Sequence, residues 1–351
     1  MKSHLKYKQL RDVNKRGFGV SKKRQCVDIT TLNRKYPLQK RRGNMIHTAE
    51  FSIQLDYEHI NFRKDHYGKE PINQILHRHM IKGISSVEYS NNFNASCKMV
   101  IDIPLILNKG NVEESDYERV ERYIKGVLSI VYGDEQLFEQ HNLSRVDYRF
   151  DIEVSDENIR NIYFELFRKL KKKKAHLEKK IYFTSQYHQC KSIHTIFYDK
   201  EQERRDKNEH VEMWERGMMR FEVCVKKDHL KYKKYKKGEL RFLKDYFKKE
   251  KYANYMNKYI LNICPTGVFY SYPMLEAMIA VMDLSIREKL EMKKIAKYVS
   301  KGNLDTPSKH YSESTYRKYL KLFNEHGINP ITIPPKYKLD YLESLVKQAA
   351  L

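Results

Sequence analysis

The chain has 351 residues, 40% of them hydrophobic, enough to bury more core than one small module needs, and two domains are expected. Lysine and arginine outnumber the acids by 68 to 45, a formal charge of +23 that repels itself unless a polyanion neutralises it; with 12% aromatic residues, 27 of them tyrosine, the balance favours nucleic acid over a lipid surface. Five scattered cysteines (Cys26, Cys97, Cys190, Cys224, Cys264) without a CxxC pair, a start without a signal-peptide pattern, and no apolar run of membrane length predict a soluble, cytoplasmic protein with no membrane partner.

Residues 1–45 hold fourteen Lys/Arg against two acids and no sustained apolar periodicity, so a flexible basic arm is expected. From there the pattern alternates: Phe51, Ile53 and Leu55 share one strand face, and Met99, Ile101 and Ile103 another before Pro104. Between them Pro71 to Lys82 reads as a helix, and its His77 and His79 receive no metal role. A helix is predicted from Ser115, with Glu118 completing a capping box, a stripe of Val120, Tyr123, Ile124, Val127, Leu128 and Val131, and a stop at Gly133. A second follows Ser155, burying Ile159, Ile162, Tyr163, Leu166, Phe167 and Leu170. The strand signal fades after residue 227. Residues 226–251 hold twelve Lys/Arg against four acids, interleaved with Tyr232, Tyr235, Phe242, Tyr246 and Phe247, and a last helix runs from Ser312 to the stop at His326-Gly327. The expectation is an α+β chain: a basic arm (1–45), an antiparallel-sheet domain (46–227) and a smaller, helical, basic domain (228–351).

Three strand-like segments carry reactive groups opposite their apolar face. In Val146 to Val154 the apolar residues leave Asp147, Arg149, Asp151 and Glu153 on the other side. In Ile193 to Tyr198, His194, Ile196 and Tyr198 oppose Ile193, Thr195 and Phe197. In Met219 to Val225, Arg220, Glu222 and Cys224 oppose Met219, Phe221, Val223 and Val225. As neighbours in one sheet, these segments would converge on a site for phosphoryl transfer, which needs an in-line nucleophile, a cation on the non-bridging oxygens, and donors for the developing charge. Tyr198 offers the hydroxyl, Arg220 or Lys200 a hold on the phosphate, and the carboxylates with His194 suit Mg²⁺ or Mn²⁺. A tyrosine is a weak nucleophile at neutral pH and needs a cation beside it; Lys200 and Lys191 are candidates. No Gly-rich phosphate loop is present, so no nucleotide cofactor is expected.

Four blocks of the sequence, in order, resemble the gene II replication protein of filamentous phages and its phage and plasmid relatives. They are Leu143-Ser144-Arg145-Val146-Asp147 with the following Ser155-Asp156-Glu157-Asn158-Ile159; Ser192 to Glu203, with Tyr198, Lys200 and Glu203 in a Tyr-x-Lys-x-x-Glu context; Met219-Arg220-Phe221-Glu222-Val223; and Ser314-Thr315-Tyr316-Arg317-Lys318-Tyr319 through His326-Gly327-Ile328. The likeness covers about Leu143 to Pro330, and residues before 140 match no block.

The resemblance implies a sheet-based rolling-circle nuclease. It would cut one strand at a phage or plasmid origin, single-stranded or hairpin, link Tyr198 to the 5′ phosphate, and leave a 3′ hydroxyl as primer for a host polymerase with a host helicase. Asp147 and Glu222 are the first metal ligands expected, Asp151 and His194 the second; Arg145, Lys191, Arg317 and Lys318 are expected to contact DNA. Related plasmid initiators place their nucleophile on an earlier strand, which keeps Tyr187 and Tyr182 open as alternatives. Two other functions stay open: a non-enzymatic nucleic-acid-binding protein whose tyrosines only stack, and a conjugative relaxase that nicks to transfer DNA.

Overall fold

A computed structural model of the chain describes residues 41–42, 45–90, 95–171, 173–174, 177–182, 184–264 and 266–346, and these belong to one compact unit. Alternation at every second residue commits ten segments between Arg41 and Lys226 to strands, with helices between them. In chain order they are β1 (Arg41–Arg42), β2 (Ile46–Leu55), β3 (Ile84–Ser90), β4 (Ala95–Asp102), β5 (Asn142–Glu153), β6 (Lys173–Lys174), β7 (Leu177–Ile181), β8 (Ser185–Gln189), β9 (Ile193–Asp199) and β10 (Met218–Lys226). They form one antiparallel sheet in the order β3-β4-β2-β5-β10-β9-β8-β7-β6, with β1 also beside β5. The strand last in sequence, β10, is inserted between β5 and β9, so the three strands with alternating reactive faces are direct neighbours.

The apolar faces of those strands make the core. Phe150 stacks on Phe221 at 4.6 Å, and Phe197 lies 5.2 Å from the same ring. The helix Glu157–Arg168 covers them, bringing Phe167 edge-on to Phe221. Its stripe Ile159, Ile162, Tyr163, Leu166 and Phe167 is buried as expected, but the residue that caps it is Asp156, not Ser155: the Asp156 carboxylate accepts from the Asn158 and Ile159 amides. The other predicted helix is Tyr117–Tyr132, ending at Gly133 with φ +76. Ser115 falls in a preceding 3₁₀ turn whose cap is a reciprocal Glu113–Asp116 pair, and Tyr123 uses its hydroxyl on the Lys82 backbone. The expected helix Pro71 to Lys82 is shorter, Ile72–Arg78. β4 ends at Asp102, one residue before Ile103, because the Asp102 side chain caps a short helix that starts there, with Pro104 in its first turn.

Of the expected basic arm, residues 1–40 and 43–44 lie outside the described residues. Arg41 and Arg42 pair with β5, and Met45 is buried. After residue 227 helices dominate, but a second sheet is present that alternation does not reveal: β11 (Val268–Ser271), β12 (Ile328–Ile333) and β13 (Tyr341–Leu342), in the order β12-β11-β13. Pro330 sits inside β12, which is tolerated because β12 is an edge strand with one side free of ladder hydrogen bonds. This layer meets the core helix directly: Tyr163 donates its hydroxyl to the Glu343 carbonyl, and Lys169 reaches the Ser300 carbonyl. The helix Glu313–Glu325 is capped by Ser312 and buries Tyr316, Tyr319 and Phe323. The molecule is thus a mixed α/β protein organised on one large antiparallel sheet.

Candidate active site

Strand register assembles the site. On β10, Arg220 pairs with Asp151 of β5 and Tyr198 of β9; Glu222 pairs with Arg149 and Ile196; Cys224 pairs with Asp147 and His194. Tyr187 of β8 lies opposite Ile196. All of these side chains share one face of the sheet, because directly paired residues point the same way. On β5 and β10 that face is out of water, with Asp147, Arg149, Asp151, Arg220, Glu222 and Cys224 all buried, whereas Tyr187, His194, Ile196 and Tyr198 on β8 and β9 are half-buried.

Charges out of water survive only when paired, and here the pairing is dense. Arg220 grips Asp151 with two parallel bonds, Nε to Oδ1 at 2.8 Å and Nη2 to Oδ2 at 2.9 Å. Arg149 approaches the same carboxylate at 3.8 Å and donates Nη2 to the Gly110 carbonyl. Arg220 and Arg149 together hold Asp151 below the ordinary carboxylate range despite its burial. The Tyr198 hydroxyl donates to Glu222 Oε1 at 2.6 Å, and Arg220 Nη1 lies 3.9 Å from that oxygen. Burial pushes the Glu222 carboxyl up, Arg220 opposing it. Burial, then the Glu222 charge, push the Tyr198 phenol well above its ordinary value, again against Arg220. Two buried N–H groups, Arg220 Nη1 and Arg149 Nε, have no hydrogen-bond partner.

Tyr198 is held in place from the next residue. Asp199 ends β9, caps the helix Lys200–Asp206 at Gln202 N, and takes Arg160 Nε at 2.7 Å. Lys200, the first residue of that helix, is buried, bonds Glu203 at 2.6 Å and lies 3.7 Å from Glu215. Its ammonium stands 6.0 Å from the Tyr198 ring. Burial and Arg220 lower the Lys200 pKa.

The expected residues divide into three groups. Tyr198, Arg220, Glu222, Asp147, Asp151 and His194 share the face, with Lys200 at its edge. Tyr187 is on it too, two strands from Glu222, and its ring meets that of the exposed Tyr182 at 5.4 Å. Arg145 closes one end, bonded through Nε to Asp147 Oδ1 at 2.9 Å. Lys191 projects from the β8–β9 turn, 3.6 Å from Asp228. Arg317 and Lys318 lie elsewhere, on the helix Glu313–Glu325, paired with Glu313 and Glu288.

The four expected metal ligands do not form a ready cation site. Asp147 is committed to Arg145, Asp151 to Arg220 and Glu222 to Tyr198, while His194 Nε2 faces the Lys226 ammonium at 2.8 Å. Burial and Lys226 lower the His194 pKa. Among the described residues no three His, Cys, Asp or Glu side chains gather as ligands.

Sequence reasoning gave no role to Arg149, although it placed the residue on this face, and it missed His47 and Glu215. His47 stands in a register shift of β2 between Ile46 and Thr48, within 4.0 Å of Asp102. Burial and the nearby Arg149, Arg220 and Lys200 hold its pKa well below the ordinary histidine value. Glu215 fixes the helix Lys200–Asp206 through Arg204. No residue pattern announces a bulge or a loop carboxylate folding back. No known family model and no curated protein matches the sequence.

Proposed function

We propose that the chain is a replication initiator that nicks one strand of a phage or plasmid origin through Tyr198. The observation that carries this reading is the 2.6 Å hydrogen bond from the Tyr198 hydroxyl to Glu222, beside a guanidinium whose Nη1 is unpartnered. A phenol with a raised pKa attacks phosphorus only if its proton leaves, and a carboxylate whose own pKa is raised is a better acceptor for it. In the step proposed, the Tyr198 proton passes to Glu222 and the phenolate oxygen bonds to phosphorus. The P–O3′ bond breaks, and the 3′ oxygen takes up a proton from water to leave as a hydroxyl, while Glu222 gives its proton back to solvent. Arg220 and Lys200 favour the phenolate and the charge that develops on the phosphoryl oxygens. The 5′-phosphotyrosine keeps the energy of the broken diester, so the strand can be rejoined without a nucleotide cofactor.

Mg²⁺ or Mn²⁺ belongs to this reading through the oxygen-rich residues of the face and the resemblance, and no step is assigned to it. Copying, with a host polymerase and helicase, is favoured over transfer by the resemblance alone. The burial of Asp151 and Arg220 favours a second reading, in which the charged face only holds the sheet together and the chain binds nucleic acid elsewhere. Incubation with supercoiled DNA carrying the flanks of its own gene, with Mn²⁺ or with EDTA, separates the two. Nicking by the native chain and none by Tyr198→Phe supports the proposal; equal nicking by both, or binding with no nick on any substrate, overturns it.

A further inference from the structure

The helix Lys227–Lys237 follows β10 without a break and has no packing reason for its composition. Leu230 is its one buried residue. His229 meets the Tyr255 ring at 5.7 Å, and Lys233 bonds Glu239 at 2.9 Å, so this side is anchored to the body. The rest is bare. Lys227, Lys231 and Lys234, at i, i+4 and i+7, form one exposed stripe with no ion-pair partner among the described residues. Tyr232 and Tyr235 lie beside it, 55% and 78% exposed. Like charges at helical spacing repel, and exposed aromatic rings gain nothing from burial. A partner that supplies both phosphates and unpaired bases reverses both penalties.

We propose that this helix is a docking surface for single-stranded DNA, with Tyr232 and Tyr235 stacking on bases and the lysine stripe facing phosphates. The surface leads to the candidate active site: Lys226, the residue before the helix, touches His194 on the polar face, and Asp228 meets Lys191 at the β8–β9 turn. The proposal rests on the nucleic-acid part of the reading above and not on nicking.

The test is fluorescence anisotropy of the full chain with a labelled oligothymidylate, with a hairpin duplex, and with vesicles of anionic lipid. Changing Tyr232 and Tyr235 together to alanine is expected to weaken oligothymidylate binding about 30-fold or more, and duplex binding far less. The same pair changed to phenylalanine keeps native affinity. Glutamine at Lys227, Lys231 and Lys234 is expected to reduce the salt dependence of binding by about 0.7 per lysine removed. Native affinity in the alanine pair, an equal loss on duplex, or binding to the vesicles alone overturns the proposal. Covalent adduct is scored in parallel on single-stranded DNA carrying the flanks of the chain's own gene, with Mn²⁺: binding by the native chain without adduct there sinks the nicking reading alone, and adduct with unaltered oligothymidylate binding by the alanine pair sinks this one alone.

Discussion

The two faces of the central strands are held by different forces, and the reactive one is half-buried along β9 where the apolar one is buried. On one, Phe150, Phe221, Phe197 and Val223 pack under the helix Glu157–Arg168. On the other, Arg220, Asp151, Arg149, Glu222 and Tyr198 interlock by hydrogen bonds and charge. A half-exposed sheet would have left the second face in water, where alternation of acids and bases carries no meaning. Its burial at 1% exposure for Arg220 and 4% for Asp151 means that each charge must be answered by another. An apolar face tolerates reshaping of its volume; a charged one tolerates neither a missing partner nor an added one.

The comparison predicts its sharpest contrast in activity. Phe197→Leu, on the apolar side of β9, leaves nicking of supercoiled DNA in place, whereas Tyr198→Phe, one residue on and facing the other way, abolishes it. In stability the faces are expected to look alike at first. Phe221→Ala costs about 3–5 kcal/mol through the cavity it leaves, and Asp151→Ala a similar amount, about 3–5 kcal/mol, by stranding two guanidiniums. Urea unfolding distinguishes the causes: replacing Arg149, Asp151 and Arg220 together by Met, Leu and Met returns stability to within about 1 kcal/mol of the native chain, since Asp151 and both guanidiniums that answer it are then gone. A triple variant no more stable than Asp151→Ala would show that the face is not held by charge pairing.

A smaller effect is expected from pH. His47 titrates lower in the folded state than in the unfolded chain, so its contribution is present above about pH 6.5 and is lost as pH falls, by about 1.4 kcal/mol per unit until the folded value is reached. His47→Gln flattens that limb of the stability profile. Glu222 has the opposite sign: its folded pKa is raised, so stability is full below the ordinary glutamate range and declines as pH rises through the raised value. Glu222→Gln removes the decline. The smallest effect is expected at Arg317→Ala, whose partner Glu313 is as exposed as Arg317 itself; the midpoint of urea unfolding stays where it was.

The strands that make the site were legible because a period of two survives in the chain from Val146 to Val154 and from Met219 to Val225, and so was the surface each residue would share. The order of the strands was not, since nothing local says that β10 enters between β5 and β9. Partnership within the face was equally hidden. Asp151 and Glu222 both read as metal ligands, yet register gives Asp151 to Arg220, and Glu222 takes the Tyr198 hydroxyl from the next pair along. Helices were found from their stripes, while their first residues shifted where Asp156 took the capping role of one and a 3₁₀ turn capped by Glu113 with Asp116 preceded the other. The small sheet escaped because β11 has four residues and β12 contains Pro330, too little alternation to detect.

The central claim is that Tyr198 is the nucleophile of a DNA-nicking face, and the direct test is to map the covalent link. The protein is incubated with origin DNA, digested with nuclease and trypsin, and the nucleotide-bearing peptide is sequenced by mass spectrometry. The account predicts a 5′-phosphodeoxynucleotide on Tyr198 and none with Tyr198→Phe. A nucleotide on Tyr187 or Tyr182 would contradict it by moving the attack to β8 or to the turn between β7 and β8, and nicking with no peptide adduct would remove tyrosine chemistry from this face altogether.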